Sequence, residues 1–119
     1  MESIKSNIKR ASVEMILLAL LSKEDKYGYQ MAQEMKSLSD GKLTLLEGSM
    51  YPILYRLTDS GDIEAYEKQV GRRLTRVYYH LTDKGRDKMA ELLRSFRDHV
   101  AIVEHIVDEC GIDSKKKKK

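Results

Sequence analysis

Cysteine and proline occur once each in the 119 residues, as Cys110 and Pro52. A lone cysteine excludes an intrachain disulfide. Cys110 sits between Glu109 and Gly111 without a basic neighbour to lower its pKa, so it has no setting for nucleophilic chemistry. A single proline leaves most of the chain free to be helical. No uninterrupted apolar run reaches membrane-spanning length and no signal peptide is present, so the sequence reads as an intracellular, cytoplasmic protein with no membrane partner. Also missing are a Ser-His-Asp or Cys-His constellation, a glycine-rich phosphate loop and a carboxylate pair with an evident role. These absences argue against an enzyme and against a bound cofactor. His99, His105, Asp108, Glu109 and Cys110 lie close in sequence, but the two histidines are six residues apart and do not share a helix face. His105 with Asp108 or Glu109 is too thin a set to hold a metal.

What is present suits one helix-rich folded domain: 41% apolar and 34% charged residues in a chain of this length. The net charge of +3 owes its sign to the lysines at 115–119; without those five, 17 of the 22 basic residues face 19 acidic ones. Any affinity for an anionic partner must therefore come from local placement. Between Lys68 and His80 stand Lys68, Arg72, Arg73 and Arg76 with no acidic residue, whereas acids gather around 24–47 and 104–113. The lysine run reads as a flexible tail with 110–119, either a solubilising end or a disordered basic arm.

Periodicity supplies the elements. Residues 8–22 form a first helix with Val13, Ile16, Leu17 and Leu20 on one stripe and Met15, Leu18 and Ala19 on the other side. Being apolar nearly all round, it is expected between two layers, the second a helix from the C-terminal part or from a second subunit. After a polar loop, SKEDK, the run Tyr27 to Leu38 places Met31, Ala32, Met35 and Leu38 on one face of a second helix, ended by the turn residues Ser39-Asp40-Gly41-Lys42. The most telling stretch is Glu47 to Leu57, EGSMYPILYRL. Met50, Ile53, Leu54 and Leu57 fall in one arc, leaving Tyr51, Pro52, Tyr55 and Arg56 outward. The helix starts near Glu47 or Gly48, so that Pro52 falls in a tolerant first turn and free N–H groups at the helix end can meet a phosphate. Asp59-Ser60-Gly61-Asp62 closes it.

Ile63 to Lys68 and Arg73 to Leu81 then read as two strands around a turn at Gln69-Val70-Gly71-Arg72. In the second strand Val77, Tyr79 and Leu81 alternate with Arg76, Tyr78 and His80, which gives the hairpin a core face and a solvent face. Thr82 is placed to cap a last helix running to about Glu109. Twenty-seven residues span about 40 Å, more than one small winged domain covers. Met89, Leu92, Leu93, Phe96, Val100, Val103, Ile106 and Val107 form a broad seven-residue repeat along it, the pattern of a helical dimer seam. A short helix followed by a basic hairpin is what a winged helix-turn-helix offers to DNA. The fold class expected is therefore mainly α with a small β-hairpin wing. A winged helix-turn-helix domain occupies 1–82, a dimerisation helix 83–109 and a flexible tail 110–119.

From about Ser12 to Val107 the chain resembles the PadR family of bacterial transcriptional regulators. The resemblance is carried in order by MILLALL, Tyr27-Gly28-Tyr29, GSMYPILYRLTDSGDI and GRRLTRVYYHLTDKG, with its Leu-Thr-x-x-Gly exit from the wing. The single C-terminal helix is similar to the compact subfamily. The resemblance implies a homodimer that binds double-stranded operator DNA at an inverted repeat, usually as a repressor, and is released by a small hydrophobic or aromatic effector. Two recognition helices would enter successive major grooves about one helical turn apart. Transferred onto matching positions, Ser49, Tyr51, Pro52, Tyr55 and Arg56 become recognition-helix residues. Lys68, Arg72, Arg73 and Arg76 become wing residues for phosphates or the minor groove. Compact members that take flat hydrophobic compounds hold them at the dimer centre, between the first and last helices. The positions implied here are Phe96 with Met15, Met89 and Leu92. Simple packing explains the same four residues. The other reading open to the sequence is a winged-helix module that binds a protein and no operator.

Overall fold

The computed structural model describes residues 4–112, with side chains from Ser12 onward. In chain order the elements are α1 (Ile4–Leu21), β1 (Lys26–Tyr27), α2 (Gly28–Leu38), α3 (Glu47–Asp59), β2 (Ile63–Gln69), β3 (Thr75–Leu81) and α4 (Asp83–Glu109). The three strands form one antiparallel sheet in the order β1-β3-β2. This is a winged helix: three helices beside a small sheet whose β2–β3 hairpin is the wing, followed by a long helix. The chain divides into two compact units between Met89 and Ala90.

The core of the first unit is drawn from its first three helices and the two strands of the wing. Val13, Leu17, Leu18 and Leu21 come from α1, Met31 and Met35 from α2, Met50, Leu54 and Leu57 from α3, and Ile63, Tyr79 and Leu81 from the sheet. The i, i+3, i+4 spacing on each helix makes this possible. Several expectations need correction. α1 begins at Ile4 and ends at Leu21, not over 8–22; within the single chain Val13, Leu17, Leu18 and Leu21 are buried, Ile16 and Leu20 are half-buried and Ala19 is exposed. Leu38 is 77% exposed, because α2 stops there and its last turn overhangs the core. The SKEDK loop is not wholly irregular, since Lys26 and Tyr27 form β1, paired with Tyr79 and Tyr78 of β3.

Turn chemistry sets the helix ends. α2 closes through Asp40 at φ 54° and Gly41 at φ 77°, with the Gly41 N–H donating to the Lys36 carbonyl at 2.8 Å. α3 closes in a Schellman motif: the Gly61 N–H donates to the Thr58 carbonyl and the Asp62 N–H to the Leu57 carbonyl, with Gly61 at φ 83°. Pro52 lies in the second turn of α3 rather than the first, so it withholds an N–H from the carbonyl of Gly48. Thr82 caps α4 as expected, its Oγ1 accepting the Gly85 N–H at 3.0 Å.

A junction around Asp62 joins the end of α3, the root of the wing and the start of α4. The Asp62 carboxylate is 1% exposed, accepts a hydrogen bond from Ser60 Oγ at 2.6 Å and pairs with Lys88 Nζ at 3.5 Å. Its carbonyl accepts from the Thr82 N–H and from Thr82 Oγ1. Gly85 lies so close to that carbonyl that any Cβ would collide with it. Glycine is required there by proximity.

In the second unit none of the described residues from 90 to 112 is buried. Phe96, Val100, Ile102, Val103 and Ile106 are between 38% and 56% exposed. The remainder of the expected tail, residues 113–119, lies outside the described residues.

Candidate nucleic-acid interface

A groove of about 490 Å³ opens between the start of α2, the outer side of α3 and the wing. It is lined by Tyr27, Gly28 and Tyr29, by Glu47, Tyr51, Tyr55 and Thr58, and by Ala65, Arg76, Val77 and Tyr79. The groove exists because α3 approaches α2 at a glycine. A Cβ on Gly28 would come within 2.6 Å of the Tyr51 hydroxyl and 3.1 Å of the Met50 methyl. Tyr51 is thereby half-buried against α2, which corrects the expectation that it stands fully outward. Burial, then the charge of Glu47 and the neighbouring Tyr55, push its phenol above the usual tyrosine value. Tyr79 is raised in the same sense, chiefly by burial. Both phenols therefore stay neutral hydrogen-bonding groups at physiological pH.

Tyr55 stands one helical turn on from Tyr51, 63% exposed, with the two ring centroids 6.4 Å apart. Ser49 and Pro52 are exposed on the first turns of the same helix, whose N-cap, Leu46, offers no side-chain cap. That end of α3 leaves backbone N–H groups for an outside acceptor. Arg56 is exposed but does not line the groove, and its guanidinium lies 3.8 Å from Glu14 of α1.

On the wing the cross-strand register places Glu64, Tyr66 and Lys68 opposite His80, Tyr78 and Arg76 on one face. Two cations rest on aromatic rings there: Lys68 Nζ is 4.9 Å from the Tyr78 ring centre, and the Arg76 guanidinium is 4.4 Å from that of Tyr27. Arg72 and Arg73 are exposed in the turn. Arg73 precedes β3, which begins at Thr75, and is not a strand residue as the alternation suggested. Gln69 Nε2 donates to the carbonyls of Gly71 and Arg72 and holds that turn in shape. Val77 is 43% exposed, so the face expected to be buried leaves the core as the hairpin extends.

The base of the wing is tied back to the loop before α2, which the periodic reading missed. Asp25 accepts a hydrogen bond from the Tyr66 hydroxyl at 2.7 Å, and its other oxygen lies 2.8 Å from His80 Nδ1. Lys26, 5% exposed, is held by Glu24 and Glu34 at 3.2 Å each. The Asp25 contacts join positions 41 and 55 residues apart and have no periodic signature. Thr58 and Tyr29 were missed as groove residues for a different reason. Tyr29 belongs to a visible motif, but only the packing at Gly28 shows where it points.

A family model described as the transcriptional regulator PadR-like family matches residues 17–91. The chain belongs to the PadR-like family. Uncharacterized protein X of Lysinibacillus sphaericus is 30% identical over 105 residues, covering 88% of this chain and 93% of the relative. The X-ray structure of a PadR-like transcription factor from Bacteroides fragilis is 30% identical with a TM-score of 0.69, covering 88% of this chain and 99% of that one. Bacillus subtilis PadR, solved in complex with operator DNA, is 28% identical with a TM-score of 0.63, covering 68% of this chain and 46% of that one. The protein is a PadR-like transcriptional regulator. Among its described residues no helix is long and apolar enough to cross a membrane.

The four residues implied for an effector divide between the units. Met15 and Met89 belong to the first, both half-buried, and Leu92 and Phe96 to the second, half-buried and exposed.

Proposed function

We propose that this regulator is a homodimer that binds double-stranded operator DNA at an inverted repeat and represses transcription until a small hydrophobic or aromatic effector releases it. The observation that carries the reading is the assembly, on one side of the winged unit, of an uncapped α3 N-terminus, exposed Ser49 and Tyr55, and Arg76 beside the same groove. Ser49, Tyr51, Pro52, Tyr55 and Arg56 present α3 to the major groove, where hydroxyls hold phosphates and an aromatic or methylene edge meets a thymine methyl. Lys68, Arg72, Arg73 and Arg76 hold the backbone along the wing. The similarity to a PadR bound to operator DNA supports the duplex as partner. The exposed apolar residues of α4 support a second copy as the other partner, since an uncovered stripe of this kind needs one. Met15, Met89, Leu92 and Phe96 are the proposed effector contacts.

Selection of bound sites from random duplex DNA, with the winning site re-measured at two salt concentrations, tests this. The expected result is an inverted repeat with half-sites about one turn apart, bound more weakly as salt rises. Tyr51→Ala and Arg73→Ala should weaken binding and leave the dimer intact, with the salt slope falling by about one for Arg73→Ala. Unchanged affinity in both variants would remove this surface. No enriched sequence would move the protein to a protein-interaction role.

A further inference from the structure

Glu47 is the one charged residue of the groove that phosphate contact leaves unaccounted for. It is the first residue of α3, exposed, and the only carboxylate among the described residues that line the groove with Tyr51, Tyr55 and Arg76. No hydrogen bond or ion pair among the described residues holds that carboxylate, although its charge reaches the Tyr51 phenol. An ionised carboxylate only accepts hydrogen bonds, and a phosphate repels it. In a major groove the amino donors are cytosine N4 and adenine N6, and adenine sets an acceptor, N7, beside its donor. A carboxylate at this position is therefore matched to cytosine. Recognition helices bring their N-terminal residues to the base edges, which is where Glu47 stands on α3.

We propose that Glu47 is a specificity-determining residue that accepts a hydrogen bond from cytosine N4 at one position of each half-site. The proposal rests on the operator-binding reading above. It also gives an acidic residue a positive role on a surface that otherwise gathers phosphate contacts.

The test is duplex selection with the wild-type protein, Glu47→Ala and Glu47→Gln, followed by affinities for sites that differ only at the selected cytosine. The wild type should prefer cytosine at that position by about tenfold or more. Glu47→Ala should lose that preference and keep all others. Glu47→Gln should move it toward adenine, because an amide can donate to N7 while accepting from N6. Three results would overturn the proposal. Tighter binding to every site with wild-type base preferences would make Glu47 a phosphate-repelling charge only. A lower melting temperature in both variants with no change in preference would leave it a helix-end charge. A wild-type site that lacks a cytosine dependence would exclude the contact directly. If the wild type selects no site at all, the operator-binding reading fails along with this one, and the wild-type result alone identifies that case.

Discussion

The two units of this chain treat their apolar residues in opposite ways. Up to Met89, leucines and methionines from three helices and a sheet enclose one another, and Leu17, Met31, Met50 and Leu54 are completely removed from solvent. From Ala90 onward the periodicity is as regular, yet Val103 and Ile106 remain 43% and 56% exposed. A hydrophobic repeat thus states that a face will be covered without stating by what. In the winged unit the cover is the chain itself; for α4 the cover proposed above is a second copy.

The largest expected effect separates these two kinds of cover. Val103→Asp should convert the dimer to a monomer and weaken operator binding by about a hundredfold or more, since two joined half-sites bind with avidity. The winged unit should keep its cooperative melt. Sedimentation with and without operator reads the first two and a thermal melt the third, and a monodisperse dimer from this variant would show that the seam lies elsewhere.

Next in size is a change aimed at the self-covered unit. Gly85→Ala drives a Cβ into the Asp62 carbonyl, a backbone group, and brings it to 2.6 Å from Cδ1 of the buried Leu81. The expected loss is about 3 kcal/mol in urea unfolding, the upper end for overpacking. A loss below about 1 kcal/mol would mean that the start of α4 can shift away from the wing root. It would then be no part of a rigid winged unit.

Most of the fold was legible in the sequence, and the reason is physical. Met50, Leu54 and Leu57 declare a helix face because side-chain direction repeats every 3.6 residues. Thr82 declares a cap because its hydroxyl fits one orphan N–H. Tyr51 was misread as outward because the same periodicity cannot know that Gly28 lets α2 come close enough to bury it. Leu38 and Val77 were misread because a periodic face persists past the point where its partner ends. The exposed ring of Tyr55 and the basic wing could be found from pattern and charge. Asp25, Lys26 and the groove position of Glu47 could not, since each depends on a neighbour far away in sequence or on the shape between elements.

A smaller effect probes that misread residue. Gly28→Ala places a Cβ against the far end of a movable side chain, so the fold should lose less than about 1 kcal/mol while Tyr51 is pushed outward. Operator affinity should fall by about tenfold, in line with the loss of one good contact. In a Tyr51→Ala background the same substitution should do almost nothing. Additive losses in the double variant would show that Gly28 acts through something other than Tyr51.

The smallest effect concerns the tie between the wing and the loop before α2. Burial alone would raise the Asp25 carboxyl, but the hydrogen bond from Tyr66 and the contact with His80, helped by the charges of His80 and Lys68, outweigh it and hold the group below its ordinary value. A carboxyl whose folded pKa is lowered stabilises the fold while ionised. That contribution is fully present above the unfolded value, about 3.9, and disappears as pH falls through the lowered folded value. Asp25→Asn should therefore reduce stability at neutral pH and flatten the acid limb of the stability curve below pH about 4, where wild type and variant converge. Because Asp25 is partly exposed, the difference should be small, and it should belong to the winged unit alone. Urea unfolding followed from pH 7 to pH 3 checks this. Parallel curves with a constant gap would mean that Asp25 holds Tyr66 and His80 by hydrogen-bond geometry and that its charge contributes nothing to the wing.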